Sequence, residues 1–210
     1  MGKQKDAILI LGEGPTEFYY FNSLKDEFPF LQNIEPKTPK HSSINELQKR
    51  IEQAVMEGYS RVYCVIDMDN KKEGKEKDNY KKLKDEYLNP IIKPKDGINC
   101  EVKFFETERC TELFFLYYFK YTTKEFSCSD VVTNELNKEC DYEKSLKFFA
   151  RHPLHQHFEK NGGTLVTAIK NAEKSCQSAL ETARDHTYSQ LGDMIKGLLK
   201  QQNIQENENK

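Results

Sequence analysis

The first hydrophobic run, Ala7 to Leu11, has no polar interruption and is bounded by Gly12 and Gly14, the pattern of a strand buried on both faces. Pro15 then stands where a helix would have its first residue. Phe18, Phe21, Leu24 and Phe28 recur at helical spacing until Pro29 breaks the pattern. The spacing therefore predicts a strand, a tight glycine turn and a helix. A short extended piece over 33–37 precedes a second helix over about 43–58, whose Ile44, Leu47, Ile51 and Val55 share a face. Its start, Ser43 with Glu46, has the form of a capping box. Arg61 to Ile66 is a second β-type run, closed by Asp67-Met68-Asp69-Asn70. Lys71 to Asn79 is charged and nearly free of apolar residues, so an exposed loop or helix start is expected there. A helix through Tyr80, Leu83 and Tyr87 follows, ending before Pro90, and Cys100 to Phe105 fits a further strand. Strand, helix, strand, helix, strand predicts an α/β sheet with crossover helices.

Leu113 to Phe119 is apolar on nearly every side but only seven residues long, which suits a buried helix turn or a short strand rather than a membrane element. Ser127 to Asp141 reads as polar and irregular, and the chain from there as helical. Leu165, Ala168, Ile169, Ala172 and Cys176 form one helical stripe; Leu191, Met194, Ile195 and Leu198 form another. Gln201 to Lys210 is polar and expected to fray. There is no internal repeat. Residues 1–122 are expected to form the α/β domain, and 123–210 a helical C-terminal extension packed on it.

The 210 residues suffice for one domain with an appendage or for two small ones. With 31% charged residues the surface should be well hydrated. The net charge of -2 provides no protein-wide positive field. Contact with a polynucleotide then has to come from a local patch, from metal ions or from a partner. The run Ala7 to Leu11 is too short for a signal sequence or a membrane span, so a cytoplasmic location without membrane contact is expected. Six cysteines without a Cys-x-x-Cys pair point to reduced thiols rather than a disulfide or zinc framework. The chain has no Gly-x-x-x-x-Gly-Lys-Ser/Thr loop and no nucleophilic Ser or Cys beside a motif histidine, which argues against an ATPase or an acyl-transfer enzyme.

Candidate chemistry lies where the strands end. In open α/β sheets ligands collect at the carboxyl ends of the strands. Glu13 follows the first apolar run, while Asp67 and Asp69 follow the second. If those strands are neighbours, three carboxylates share one crevice. Residues i and i+2 of an extended chain point the same way, so Asp67 and Asp69 can face one ion or an adjacent pair. Carboxylates packed this closely repel unless a cation neutralises them, and hard oxygen ligands suit Mg²⁺. Such an ion can polarise a phosphoryl oxygen and activate water. The plainer alternative is that Glu13 caps the following helix and Asp67-x-Asp69 is an ordinary turn. The joint occurrence of both motifs after two apolar strands favours the functional reading.

The stretch Leu9 to Glu17, with Gly12-Glu13-Gly14-Pro15-Thr16-Glu17 followed by Tyr19-Tyr20-Phe21, resembles the opening Glu-Gly-x-Thr-Glu signature of the RloB-like family. Val65-Ile66-Asp67-Met68-Asp69 resembles its Asp-x-Asp strand, and Cys110 to Leu116 its Cys-Phe-Glu-x-Trp stretch. In the last of these, Thr111 replaces the aromatic, no tryptophan exists, and Arg109 stands where proline is usual. Ala168 to Lys174 and His186 to Leu191 are similar to the family's carboxyl-terminal helices. The resemblance covers most of the chain. It implies a Toprim-like, parallel-rich sheet and a role in restriction-linked or abortive-infection defence against phage. The implied activity is a Mg²⁺- or Mn²⁺-dependent nuclease or related phosphodiester enzyme acting on DNA or RNA. Glu13 would then be the general acid/base or a metal ligand, and Asp67 and Asp69 would hold the ion. Glu17, Glu112, Asn70 and Lys71 are further second-layer or substrate-contact candidates, although Glu17 and Glu112 are explained equally well as residues favoured at a helix start. An AAA-type ATPase partner and self-association are also expected. A non-catalytic Toprim-like module that binds such a partner is the alternative.

Two weaker signals remain. His152, His155 and His157 lie close enough in sequence to ligate a transition metal, yet no acidic or thiol partner is near, so a solvated loop or a phosphate contact is favoured. Lysines 71, 72, 75, 77, 81, 82 and 84 can form a basic edge beside the acidic site. Interleaved acids make a solvated helix face the preferred reading.

Overall fold

A computed structural model describes residues 5–37, 43–69, 71–93, 97–182 and 187–208. The apolar run at the start is β1, Lys5–Leu11, and it leads through Gly12 to Gly14 into α1, Pro15–Glu27. A 3-10 turn, Pro29–Asn33, replaces a clean stop at Pro29 and delivers β2, Ile34–Lys37. Helix α2, Ile44–Met56, begins where Ser43 accepts the backbone N–H of Glu46 at 3.3 Å, one half of the expected capping box. Strand β3, Tyr59–Asp67, is followed by α3, Gly74–Glu86, then β4, Ile91–Lys93, and β5, Ile98–Thr107.

The sheet order is β2-β1-β3-β5-β4. β1 pairs in parallel with β2 and β3, β3 pairs in parallel with β5, and only β4 runs antiparallel. This is the expected parallel-rich sheet with crossover helices, consistent with a Toprim-like fold. Alternation along the strands explains why both faces are covered. Leu9, Leu11, Val62, Cys64, Ile66, Cys100 and Val102 pack against α2 and α3, while Ile8, Ile10, Tyr63 and Val65 face α1 and the rest of the chain. The three-residue β4 was not foreseen, because a run so short carries no usable period.

The apolar stretch after β5 is α4, Glu112–Leu116, buried throughout. Helices α5, Ser129–Cys140, α6, Leu146–Arg151, α7, Leu154–Lys160, α8, Leu165–Thr182, and α9, Leu191–Glu208, complete the described chain. The expectation that 127–141 is irregular is corrected here. Helix α5 buries Val132, Leu136 and Cys140, only three anchors in twelve residues, too sparse for the stripe to stand out. α9 runs through the segment expected to fray.

Of the three histidines only His152 is exposed, in the bend between α6 and α7, so they do not together form a solvated loop. His155 sits on α7 with no exposed surface, its Nδ1 3.1 Å from the Tyr118 hydroxyl; burial holds its pKa down. His157 instead contacts the Cys140 carbonyl at 2.5 Å, and His152 stacks on Phe148. One hydrophobic core joins Ile8, Ile10, Tyr20 and Phe21 to Leu136, Phe158, Ala168 and Ile195, so residues 1–122 and the helical extension share their packing. All six cysteines are free thiols. No described helix is long and apolar enough to cross a membrane.

Candidate carboxylate site

The carboxyl ends of β1, β3 and β5 lie side by side, with Glu13 two residues past the last pair of β1, Asp67 at the last pair of β3 and Glu112 on the helix that follows β5. Glu13, in the turn after β1, accepts the backbone N–H of Asp67 on Oε1 at 3.1 Å. The same oxygen accepts the Lys71 ammonium at 2.7 Å, and Lys71 also donates to the Asp67 carbonyl at 2.8 Å. Lys71 is only 8% exposed, so its charge acts at close range in a poorly hydrated setting. Burial raises the Glu13 pKa, and the Lys71 charge and hydrogen bond oppose that shift.

Asp67 closes β3 and turns its carboxylate toward α1 and α4. Its Oδ1 accepts the Thr111 hydroxyl at 3.2 Å. Glu17 reaches back to accept the Gly14 N–H at 2.8 Å and so caps α1, as a residue favoured at a helix start would. Gly12 is required by that arrangement, since a Cβ there would lie 2.5 Å from the Glu17 Cβ. Glu17 is more than a cap, however. It is buried beside Glu112, and desolvation with that neighbouring charge pushes its pKa up to about 7. Asp67 is raised well above the usual carboxylate range by burial first, then by Glu17, Glu13 and Glu112.

Glu112 opens α4 and is completely buried. Its Oε1 accepts Thr16 at 3.4 Å, Tyr142 at 3.1 Å and the Lys144 ammonium at 2.9 Å, while Oε2 has no hydrogen-bond partner among the described residues. Glu112 holds the Lys144 pKa up against the lowering effect of burial. Asp69 turns to the other side of β3, where Arg109 Nη1 approaches its Oδ1 at 3.3 Å. Asn70 lies outside the described residues.

Glu13, Glu17, Asp67 and Glu112 therefore form one acidic cluster with two cations, Lys71 and Lys144, on its flanks. Asp69 stands apart with Arg109. No three His, Cys, Asp or Glu groups among the described residues are already spaced to hold a metal ion. A family model of RloB-like proteins matches residues 8–198. The chain belongs to the RloB-like family. No curated protein and no solved structure matches this RloB-like chain.

Three contributors escaped the sequence reading of this RloB-like protein: Thr111, Tyr142 and Lys144. Thr111 is hidden because a hydroxyl carries no motif of its own. Tyr142 and Lys144 sit in the turn between α5 and α6, thirty or more residues from the acid they contact, and nothing local marks them.

Proposed function

We propose that this protein is a metal-dependent phosphodiester-cleaving enzyme, a Toprim-like nuclease acting on DNA or RNA in defence against phage. The single observation that carries the reading is the surplus of buried negative charge at the strand ends. Four carboxylates converge there, Asp67 is held well above its ordinary pKa, and the buried Glu112 Oε2 has no hydrogen-bond partner among the described residues. A chain that buries charge without pairing it loses stability unless the site serves something else. The donor atoms are all hard oxygens, which fits Mg²⁺ or Mn²⁺. Asp67 would hold the ion with Glu13, and Glu17 and Glu112 are within the same cluster to share its charge. When bound, the ion would supply Lewis-acid polarisation of a phosphoryl oxygen and a more acidic bound water.

The remaining roles belong to the chain. Glu13 is the candidate general acid/base: burial lifts its pKa above the ordinary carboxylate value, while the Lys71 charge and hydrogen bond oppose the rise. Lys71 fixes the Glu13 carboxylate against β3, and Thr111 orients Asp67. The turn carrying Lys144 and Tyr142 holds Glu112 in place from the helical side. The test is metal-dependent cleavage of single- and double-stranded DNA and RNA by the wild type, Glu13→Gln and Asp67→Asn, with Mn²⁺ binding followed by calorimetry. Each substitution should lower cleavage at least about 100-fold, and Asp67→Asn should also weaken ion binding. Equal activity in all three proteins removes the reading.

A second reading is favoured by a specific observation: Glu13 is already paired with Lys71, and Asp69 with Arg109. On that reading the protein is a non-catalytic module whose acids are structurally neutralised, and it works by docking an AAA-type ATPase or a second copy of itself. Absence of ion binding in calorimetry together with co-purification of an ATPase would select it.

A further inference from the structure

A cleft of about 1160 Å³ opens beside the carboxylate cluster, between α3 and the turn after β5. Its wall on α3 is one face of that helix, with Lys77, Tyr80, Lys81 and Lys84 spaced at three and four residues. Lys71, which also holds Glu13, lines it together with Lys72 and Arg109. We propose that this cleft is a track for the phosphate backbone of a polynucleotide strand, leading it to the Glu13–Asp67 end of the carboxylate cluster. The inference deepens the hydrolase reading above and rests on it for the direction of the track, but not for the existence of the binding.

Three observations carry it. First, the cleft and the cluster share a residue: Lys71 lines the cleft and holds Glu13. An ammonium has three N–H donors, and the two that Lys71 gives to Glu13 and to the Asp67 carbonyl leave a third for an anionic oxygen. Second, Lys77 and Lys81 are exposed and make no ion pair among the described residues, while the acids nearest the site are already held. Glu108 is paired with Lys72 at 2.7 Å, and Arg109 approaches both Glu108 and Asp69. Glu73 and Asp85 stand toward the two ends of the α3 wall and Glu125 lines the cleft off that helix, so the middle of the α3 wall is basic. Third, Arg109 adopts a φ of 68°, a left-handed conformation that an arginine rarely takes. The strained turn is held by the Glu108 N–H to the Tyr188 carbonyl and sets a guanidinium in the cleft lining beside Asp69 and Glu108.

The aromatic residues of the lining, Tyr80 and Phe126, are buried, so they offer no platform on which bases could stack. The recognition is therefore of backbone phosphate rather than of base identity, and should be strongly salt-dependent.

The experiment is fluorescence anisotropy of labelled 20-nucleotide DNA and RNA strands with the full chain in EDTA, so that no turnover is required. Lys77→Glu/Lys81→Glu should weaken binding at least about 10-fold and reduce the slope of log Kd against log salt by about 1 to 2. The charge-matched control Lys147→Glu/Lys160→Glu, on exposed positions of α6 and α7 across the sheet, should stay within about 2-fold of the wild type. Equal weakening in both doubles, no binding by the wild type at low salt, or displacement of the strand by polyglutamate as readily as by unlabelled oligonucleotide would each overturn the proposal. A protein that cleaves nothing yet binds through Lys77 and Lys81 retains the cleft and removes only the hydrolase. Cleavage at sub-saturating substrate that the Lys77→Glu/Lys81→Glu double leaves intact removes only the cleft.

Discussion

Glu17 shows how one side chain can satisfy a local rule and still matter to the site. As the third residue of α1 it caps the Gly14 N–H, which is sufficient reason for a glutamate there. Its burial beside Glu112 then makes its charge costly, and the pKa of about 7 follows. The sign of the linkage is definite. In the unfolded chain Glu17 titrates near 4.5, so the folded state binds the extra proton between 4.5 and about 7. Its contribution to stability is fully present below pH 4.5 and is lost as pH rises through 7. In EDTA, urea unfolding should therefore show the wild type losing on the order of 2–3 kcal/mol between pH 4.5 and 8 from this group. Glu17→Gln should flatten that part of the profile. A profile identical in the two proteins would show that the proton is held elsewhere in the cluster.

At the scale of elements, the site is a meeting of strand ends and the helices that hold them. α3 is tied to β5 by Glu106, whose carboxylate accepts the Tyr80 hydroxyl at 2.8 Å, the Lys84 ammonium at 2.5 Å and the Tyr188 hydroxyl at 3.1 Å. The segment around Ser189 runs antiparallel beside the end of β5, with a bridge from Thr107 to Ser189. α9 follows directly, so its packing on α8 helps fix the turn carrying Arg109. That packing is close: a Cβ on Gly192 would lie 2.6 Å from the Ala172 Cβ and 3.1 Å from the Ile169 carbonyl. Gly192→Ala should cost about 1–3 kcal/mol of stability by overpacking, measured by chemical denaturation. Its largest rise in amide hydrogen exchange should fall on α9 and residues 187–190. Unchanged stability would mean that α8 and α9 separate freely.

For the whole molecule, the shared core decides what can fold alone. Tyr20 and Phe21 of α1 lie in the same cluster as Leu136, Phe158 and Ile195. Lys144 and Tyr142 close over Glu112 from beyond residue 122. A chain cut after residue 122 would expose that core face and leave Glu112 without its cation, so it should show no cooperative thermal transition by calorimetry, whereas the full chain should show one. Independent folding of 1–122 would refute this. The period of the apolar residues was enough to place β1, α1, α2, β3 and α8, because each buries a regular face and the pattern is local. It also put Glu13 and Asp67 at strand ends, and the Glu-Gly-x-Thr-Glu and Asp-x-Asp motifs pointed to the family. Neither β4 nor α5 was legible, since three residues or three widely spaced anchors do not define a period. Only the tertiary structure decided that Asp67 turns to Glu17 and Glu112 while Asp69 turns to Arg109, and that Lys71 and Lys144 supply the neighbouring positive charge. Those pairings join residues up to about a hundred positions apart, and their energies depend on burial and distance, which no linear spacing encodes.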